Sequence, residues 1–289
     1  MTVAPYPHTA GGDEAATPEV ILAASMVPQS RPRWMRVLSQ LSHLWLLVVL
    51  IVVWELGSRF GKSVNPQLDV MLPPPTAVFS AAQDLWARGV LITHIRDSLM
   101  RVLIAVGPAA ALGIPLGLAM GWFEKFRDVV DPVIEFIRPI PPLAWIPLSI
   151  LWFGIGDTQI EYIIFLAAFF PVVLNSRAGA RDIDTYLVRA GLSLGATPRD
   201  LFFTVILPGA LPNIFTGLRI ALGIGWMALV AGELVAAPSG LGYLINNART
   251  LFRSDYILLG MVLIGALGLV LDYGMRQLIR LVMPWHKGQ

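Results

Sequence analysis

The 289-residue chain contains no cysteine, which excludes disulfides, thiolate metal sites and cysteine nucleophiles. Charge is almost as scarce. Asp, Glu, Lys and Arg make up 14% of the residues, against about 25% in soluble domains, and only three of the 21 basic residues are lysines. A net charge of +2 leaves no general basic face for nucleic acid. The four histidines, His8, His43, His94 and His286, lie far apart without metal-ligand spacing, and no local motif supports a Ser-His-Asp set. What fills the chain is apolar: 56% hydrophobic residues and a mean hydropathy of +0.68. So few charges cannot clothe a soluble core of this size, and so much apolar content is incompatible with disorder. The composition is that of an integral membrane protein.

A helix crossing the hydrocarbon layer needs about 20 mostly apolar residues, because lipid offers its backbone no partners. Six stretches qualify, which predicts an all-α fold with about six transmembrane helices. They are residues 42–57 around the run Trp45 to Trp54; 102–123, uncharged between Arg101 and Glu124; 139–156, with a helix start as early as Val129; 162–176; 213–236, interrupted by Arg219 and Glu233; and 256–271. Between the first two, Pro73-Pro74-Pro75 precedes Val78, Phe79, Ala82, Leu85 and Trp86 at helical spacing. This predicts a short amphipathic helix, on the interface or packed on protein. Residues 1–36 read as a flexible tail, without the positive start and short apolar run of a secretory signal. Residues 37–283 form the membrane domain, and 284–289 a second short tail.

Orientation follows from the basic residues. With six spans, one side carries Arg31, Arg33, Arg36, Lys125, Arg127, Arg177, Arg181, Arg189, Arg199, Arg276, Arg280 and Lys287, twelve in all. The other carries six: Arg59, Lys62, Arg88, Arg96, Arg249 and Arg253. Positive charge stays inside, so both termini are expected in the cytoplasm.

One cytoplasmic segment, 177–208, is unlike the tight turns elsewhere. It contains Arg189-Ala190-Gly191-Leu192-Ser193-Leu194-Gly195-Ala196-Thr197-Pro198 and ends in Val205-Ile206-Leu207-Pro208. Gly195 can end a short helix through a left-handed cap, and Pro198 can open another after Thr197. Pro208 and Pro212 are expected to break the approach to the next span. The product is a rigid helical elbow. Gly57-Ser58-Arg59-Phe60-Gly61-Lys62-Ser63 comes close to a phosphate loop, but has three residues between its glycines where four are needed and no strand before it.

Gly195, nine intervening residues and Val205-Ile206-Leu207-Pro208 resemble the EAA loop of ABC importer permeases, with Arg189-Ala190-Gly191 in place of Glu-Ala-Ala. Further segments resemble the taurine, aliphatic sulfonate and nitrate branch: Leu72-Pro73-Pro74-Pro75; Asp131-Pro132; Arg138-Pro139-Ile140-Pro141-Pro142-Leu143-Ala144-Trp145-Ile146-Pro147; Trp152-Phe153-Gly154-Ile155-Gly156; Thr216-Gly217-Leu218-Arg219; and Gly232-Glu233-Leu234. Pro284-Trp285-His286 looks most like the taurine members. The resemblance covers about residues 40–286. It implies a type I permease of the inner membrane, acting with a second copy of itself, two cytoplasmic ATPases and an external substrate-binding protein. ATP and Mg would be held by the ATPase, leaving this chain without cofactor or enzyme activity. The residues implied in coupling are Arg189, Ala190, Gly191, Leu192, Ser193, Leu194, Gly195, Ala196, Leu207 and Pro208. Taurine or another alkanesulfonate is the expected cargo, with nitrate or bicarbonate as alternative. An ion-coupled secondary transporter is the competing class, but no internal repeat supports it.

Within the spans, Gly113, Gly117 and Gly121 lie four apart on one face, as do Gly217, Ala221 and Gly225. Small residues at this spacing let helix backbones approach closely, for packing or for sliding. Charges at membrane depth need a partner or a water-filled path. On that ground Arg138, Arg219 and Glu233, with Pro141, Pro142 and Trp145 of the proline-broken stretch, are candidates for a translocation path. Arg138 could equally pair with Glu135, and Glu233 could be a hydrogen-bonded carboxylate between helices.

Overall fold

In the computed structural model, residues 33–65 and 71–284 are described, with side chains from residue 45 onward except 47 and 64. The two expected tails, apart from residues 33–36 and 284, lie outside these residues. The chain divides into two compact units, Met1–Val53 and Trp54–Gln289. Helix α1, Arg33–Val64, contains the first expected span, and in the first unit its described side chains from Trp45 to Val53 are exposed. The backbone is helical through Gly57 to Ser63, so no phosphate-cradling loop forms there.

The second unit continues with α2 (Pro75–Ala87), α3 (Val90–Trp122), α4 (Glu124–Ile137), a 3-10 turn (Pro142–Trp145), α5 (Ile146–Phe153), α6 (Asp157–Arg181), α7 (Thr185–Ser193), α8 (Pro198–Leu201), α9 (Leu207–Ala236), α10 (Leu241–Thr250) and α11 (Ser254–Val282). Among the described residues, four stretches are long and apolar enough to cross a membrane: α3, α6, Pro198–Ala236 and α11. The expected third span is a bent pair, α4 against Pro142–Phe153 at 81°. The cause is local. Pro141 precedes Pro142, which drives it extended, with ψ 136°, and Pro147 then opens α5, where its missing N–H is harmless. The amphipathic helix expected after Pro75 is α2, whose Val78, Ala81 and Leu85 are buried.

At the centre stands α6. Its apolar residues surround the helix instead of forming one stripe, the pattern of a helix covered on every side, and Ile160, Ile163, Ile164, Ala168, Val172 and Val173 are fully buried. Both small-residue stripes face it. On α3, a Cβ at Gly117 would overlap the carbonyl of Val173, and one at Gly121 would lie 2.5 Å from Ala180 Cβ. On α9, a Cβ at Gly217 would lie 2.7 Å from Asn175 Cβ, and at Gly225 it would lie 3.3 Å from Ile164 Cγ2. With lipid on the outside there is no hydrophobic drive to pair helices, so this close packing supplies the attraction.

Pro208 and Pro212 do not break the chain, contrary to expectation. Helix runs without interruption over the 39 residues Pro198–Ala236. The segment Phe202–Ile206 is a π turn, closed by the Leu207 N–H donating to the Phe202 carbonyl. That wider turn accommodates the Pro208 ring without ending the helix. Beyond it, Ile206, Ala210 and Ile214 are buried with Leu118 and Ala180, and this packing holds the helix through Pro212.

Candidate functional site

The elbow is built from two capped helices. The Asp184 carboxylate accepts the Tyr186 N–H at 2.8 Å and opens α7. Gly195, at φ 80°, closes it. The N–H groups of Gly195 and Ala196 donate to the carbonyls of Leu192 and Gly191, both at 3.0 Å, the paired bonds of a Schellman cap. Thr197 and Asp200 then form a reciprocal capping box around Pro198. Gly191 lies against Leu201, which is buried; a Cβ there would fall 2.5 Å from Leu201 Cδ2. The hinge between α7 and α8 is thereby fixed. α7 buries no residue, while Tyr186, Leu187, Leu192 and Leu194 are exposed and Arg189 stands among them. The helix is thus pre-shaped and presents an exposed apolar surface. The end of the loop differs from its start: Arg177 and Arg181 still belong to α6, and Leu207 and Pro208 belong to α9.

The opposite end of α6 and α9 carries a buried polar network. Glu233 of α9 is 1% exposed. Its Oε1 accepts from Ser98 Oγ at 2.8 Å and from Arg101 Nη1 at 2.7 Å, and its Oε2 accepts the Gly242 N–H at 2.8 Å. Arg101, also buried, donates to Asp157 Oδ1 at 2.6 Å and to the Ser239 carbonyl at 2.7 Å. Ser239 Oγ donates to Asp97 at 2.7 Å, the Gly240 N–H to His94 Nδ1 at 3.0 Å, and the Leu241 N–H to Ser98 Oγ at 2.9 Å. At Gly240, with φ 115°, any Cβ would overlap the Glu233 carboxylate. α3, α6, α9 and the turn before α10 are thus joined through one arginine. Counting apolar residues hid this set, because it began the second span at Val102. The signal was present as His94, Ser98 and Arg101 at helical spacing on one face.

The six path candidates are not brought together. Arg138 and Glu135 are both exposed and do not pair, which corrects that alternative; two solvated side chains gain little by pairing. Pro141 is exposed and Pro142 half-buried. Trp145 lines an apolar groove of about 540 Å³ between α3, α4 and α6, with Leu116, Ile134, Tyr162 and Phe169. Glu233 lies in the network, and Arg219 pairs with Asp272 of α11 at 2.6 Å.

Residues 113–284 match the family described as binding-protein-dependent transport system inner membrane component. The chain belongs to that family. Among relatives, this permease is 41% identical over 245 residues to the taurine transport system permease protein TauC of Escherichia coli (strain K12), covering 83% of this chain and 88% of the relative. It is 32% identical over 241 residues to the nitrate import permease protein NrtB of Synechocystis, covering 82% and 87%. Its fold resembles a chain of the MetNI methionine ABC transporter in inward-facing conformations, with a TM-score of 0.60, 22% identity and coverage of 67% of this chain and 96% of that one. The permease is a multi-pass, all-α membrane component of the ABC importer class.

Proposed function

We propose that two copies of the permease form a pore for a small anion, driven by two ATPase subunits gripping the elbows and supplied by a substrate-binding protein at the opposite end. ATP and Mg belong to the ATPase subunits in this reading. The twelve-to-six division of basic residues supports a cytoplasmic elbow and cytoplasmic termini. The observation that carries the proposal is the exposed, doubly capped α7, joined through α8 to a single helix that reaches Glu233. A push on the elbow therefore travels along one rod of roughly 50 Å to the far side. With Arg189 where the motif has glutamate, the grip falls to Tyr186, Leu187, Leu192 and Leu194. Differential binding of ATP to inward- and outward-facing states supplies the drive.

Leu192→Asp/Leu194→Asp tests the grip. Both side chains are exposed, so the permease should melt normally, while co-purified ATPase and ATP-driven uptake fall at least about tenfold, the effect of losing a central apolar anchor. Undiminished ATPase retention and uptake would sink the proposal. For the cargo, the similarity to TauC and the terminal Pro284-Trp285-His286 support taurine or another alkanesulfonate over nitrate or bicarbonate. Titrating the cognate binding protein with that panel decides among them.

A further inference from the structure

The seam between α9 and α11 holds a group of charges that neither the elbow nor the network uses. Arg219 Nε donates to Asp272 Oδ1 at 2.6 Å, and Arg276 donates to the other carboxylate oxygen of Asp272. Arg280 lies one turn further along α11 on the same face and is exposed. Two arginines thus share one carboxylate and a third stands a turn away, an excess of two positive charges. The arginine side chains of the pairs are about half exposed, 48% and 50%, so they face outward.

The two helices that carry them also expose large apolar side chains. Met227 of α9 and Leu269, Val270 and Leu281 of α11 are all more than 60% exposed, on two helices apolar enough to span a membrane. Cations set in such a surface must meet an anion or reach the headgroups. Asp272 lies ten residues, about 15 Å, from the end of α11 at Val282, and α9 starts at the elbow. The group therefore stands in the elbow-side leaflet, with Arg280 nearest the headgroups. Above Arg219 a narrow apolar pocket of about 70 Å³ continues between Gly223, Trp226 and Gly268. With two glycines in its wall, it leaves a slot for a hydrocarbon chain beside the charges.

We propose that this seam binds an anionic phospholipid, its phosphate against Arg276 and Arg280 and one acyl chain along the slot toward Trp226. Asp272 would orient Arg219 and Arg276 and keep the cationic excess small enough to insert. Clusters of arginine at the edge of a membrane helix attract acidic lipid by charge and by forked hydrogen bonds to phosphate.

The test uses the assembled transporter, purified after reconstitution in vesicles of equal parts phosphatidylglycerol and phosphatidylethanolamine, with retained lipid quantified by mass spectrometry. The wild type should retain phosphatidylglycerol in preference. Arg276→Gln/Arg280→Gln should lower that preference by about fivefold for each arginine removed. Arg276→Lys/Arg280→Lys, which keeps the charge, should retain most of it. Equal lipid retention in the wild type and the glutamine variant would overturn the proposal. So would displacement of the lipid by inorganic phosphate, which would mark an ion site, or loss of permease pairing in the glutamine variant with its lipid intact, which would mark a contact with a second copy.

Discussion

At the elbow, the hydrogen bonds that shape the chain join residues no more than five positions apart, from Asp184 to Tyr186 and from Ala196 back to Gly191. At the other end of α6 and α9, Arg101 reaches across 56 positions to Asp157 and 132 to Glu233. The elbow is exposed and self-sufficient, so it keeps its shape whatever the bundle does. The network has a buried centre at Arg101 and Glu233 and is shared among four elements, so it exists only when the bundle is assembled. A part that stands exposed on its own is built from local contacts, and a part that must hold distant helices together is built from long-range ones.

The strongest way to break this comparison is Arg101→Gln. It leaves Glu233 buried without its cation, which should cost about 3–5 kcal/mol and appear as a large drop in the melting temperature of the permease in detergent. Replacing both partners, Arg101→Met with Glu233→Met, should recover much of that loss. A single variant that melts like the wild type would mean the network holds nothing. Thr197→Ala sharpens the other side. Loss of the capping box should cost about 1 kcal/mol and raise amide exchange in α8 and the end of α7, while the amides of Gly240 and Leu241 stay as protected as before.

The smallest effect concerns Asp84, in α2, which accepts from the Tyr256 hydroxyl at 2.5 Å and pairs with Arg88. The Tyr256 hydrogen bond holds the Asp84 carboxyl below its ordinary value, with Arg88 adding to it. A carboxyl lowered in the folded state stabilises it above the unfolded value, about 3.9, and that contribution is lost as pH falls through the folded value. Acid below about pH 3.9 should thus slightly loosen α2 from α11, measured as amide exchange in α2. Asp84→Asn should remove this pH dependence.

What could be read from the sequence follows the same division. Gly195, Thr197 and Pro198 announce their caps because a cap is decided by its own few residues. The apolar runs of α6, α9 and α11 and the two small-residue stripes were equally plain, since composition and spacing are local quantities. The bend after Arg138 was half legible: the prolines marked the break, but its 81° angle depends on what α4 and α5 pack against. Pro208 misled, because a proline's cost is judged for an α turn and the chain supplies a π turn instead. The partnership of Arg101 with Glu233 was hidden, since nothing near either residue names the other. The lipid-facing charges were visible singly, as Arg219 and Arg276, but not as a group, because Asp272 joins them only once α9 and α11 lie side by side.

The glycine contacts on both sides of α6 carry a mechanical consequence. With backbone resting on backbone at Gly117 and Gly121 on one side and Gly217 on the other, a slip of a fraction of a turn would drive a carbonyl or a Cβ into the neighbouring helix. Three helices seated this way tilt as a single plank. In the proposed importer, the motion that opens and shuts a passage would then be left to the seams between whole subunits, and work delivered at the elbow would rock the plank without being absorbed inside it.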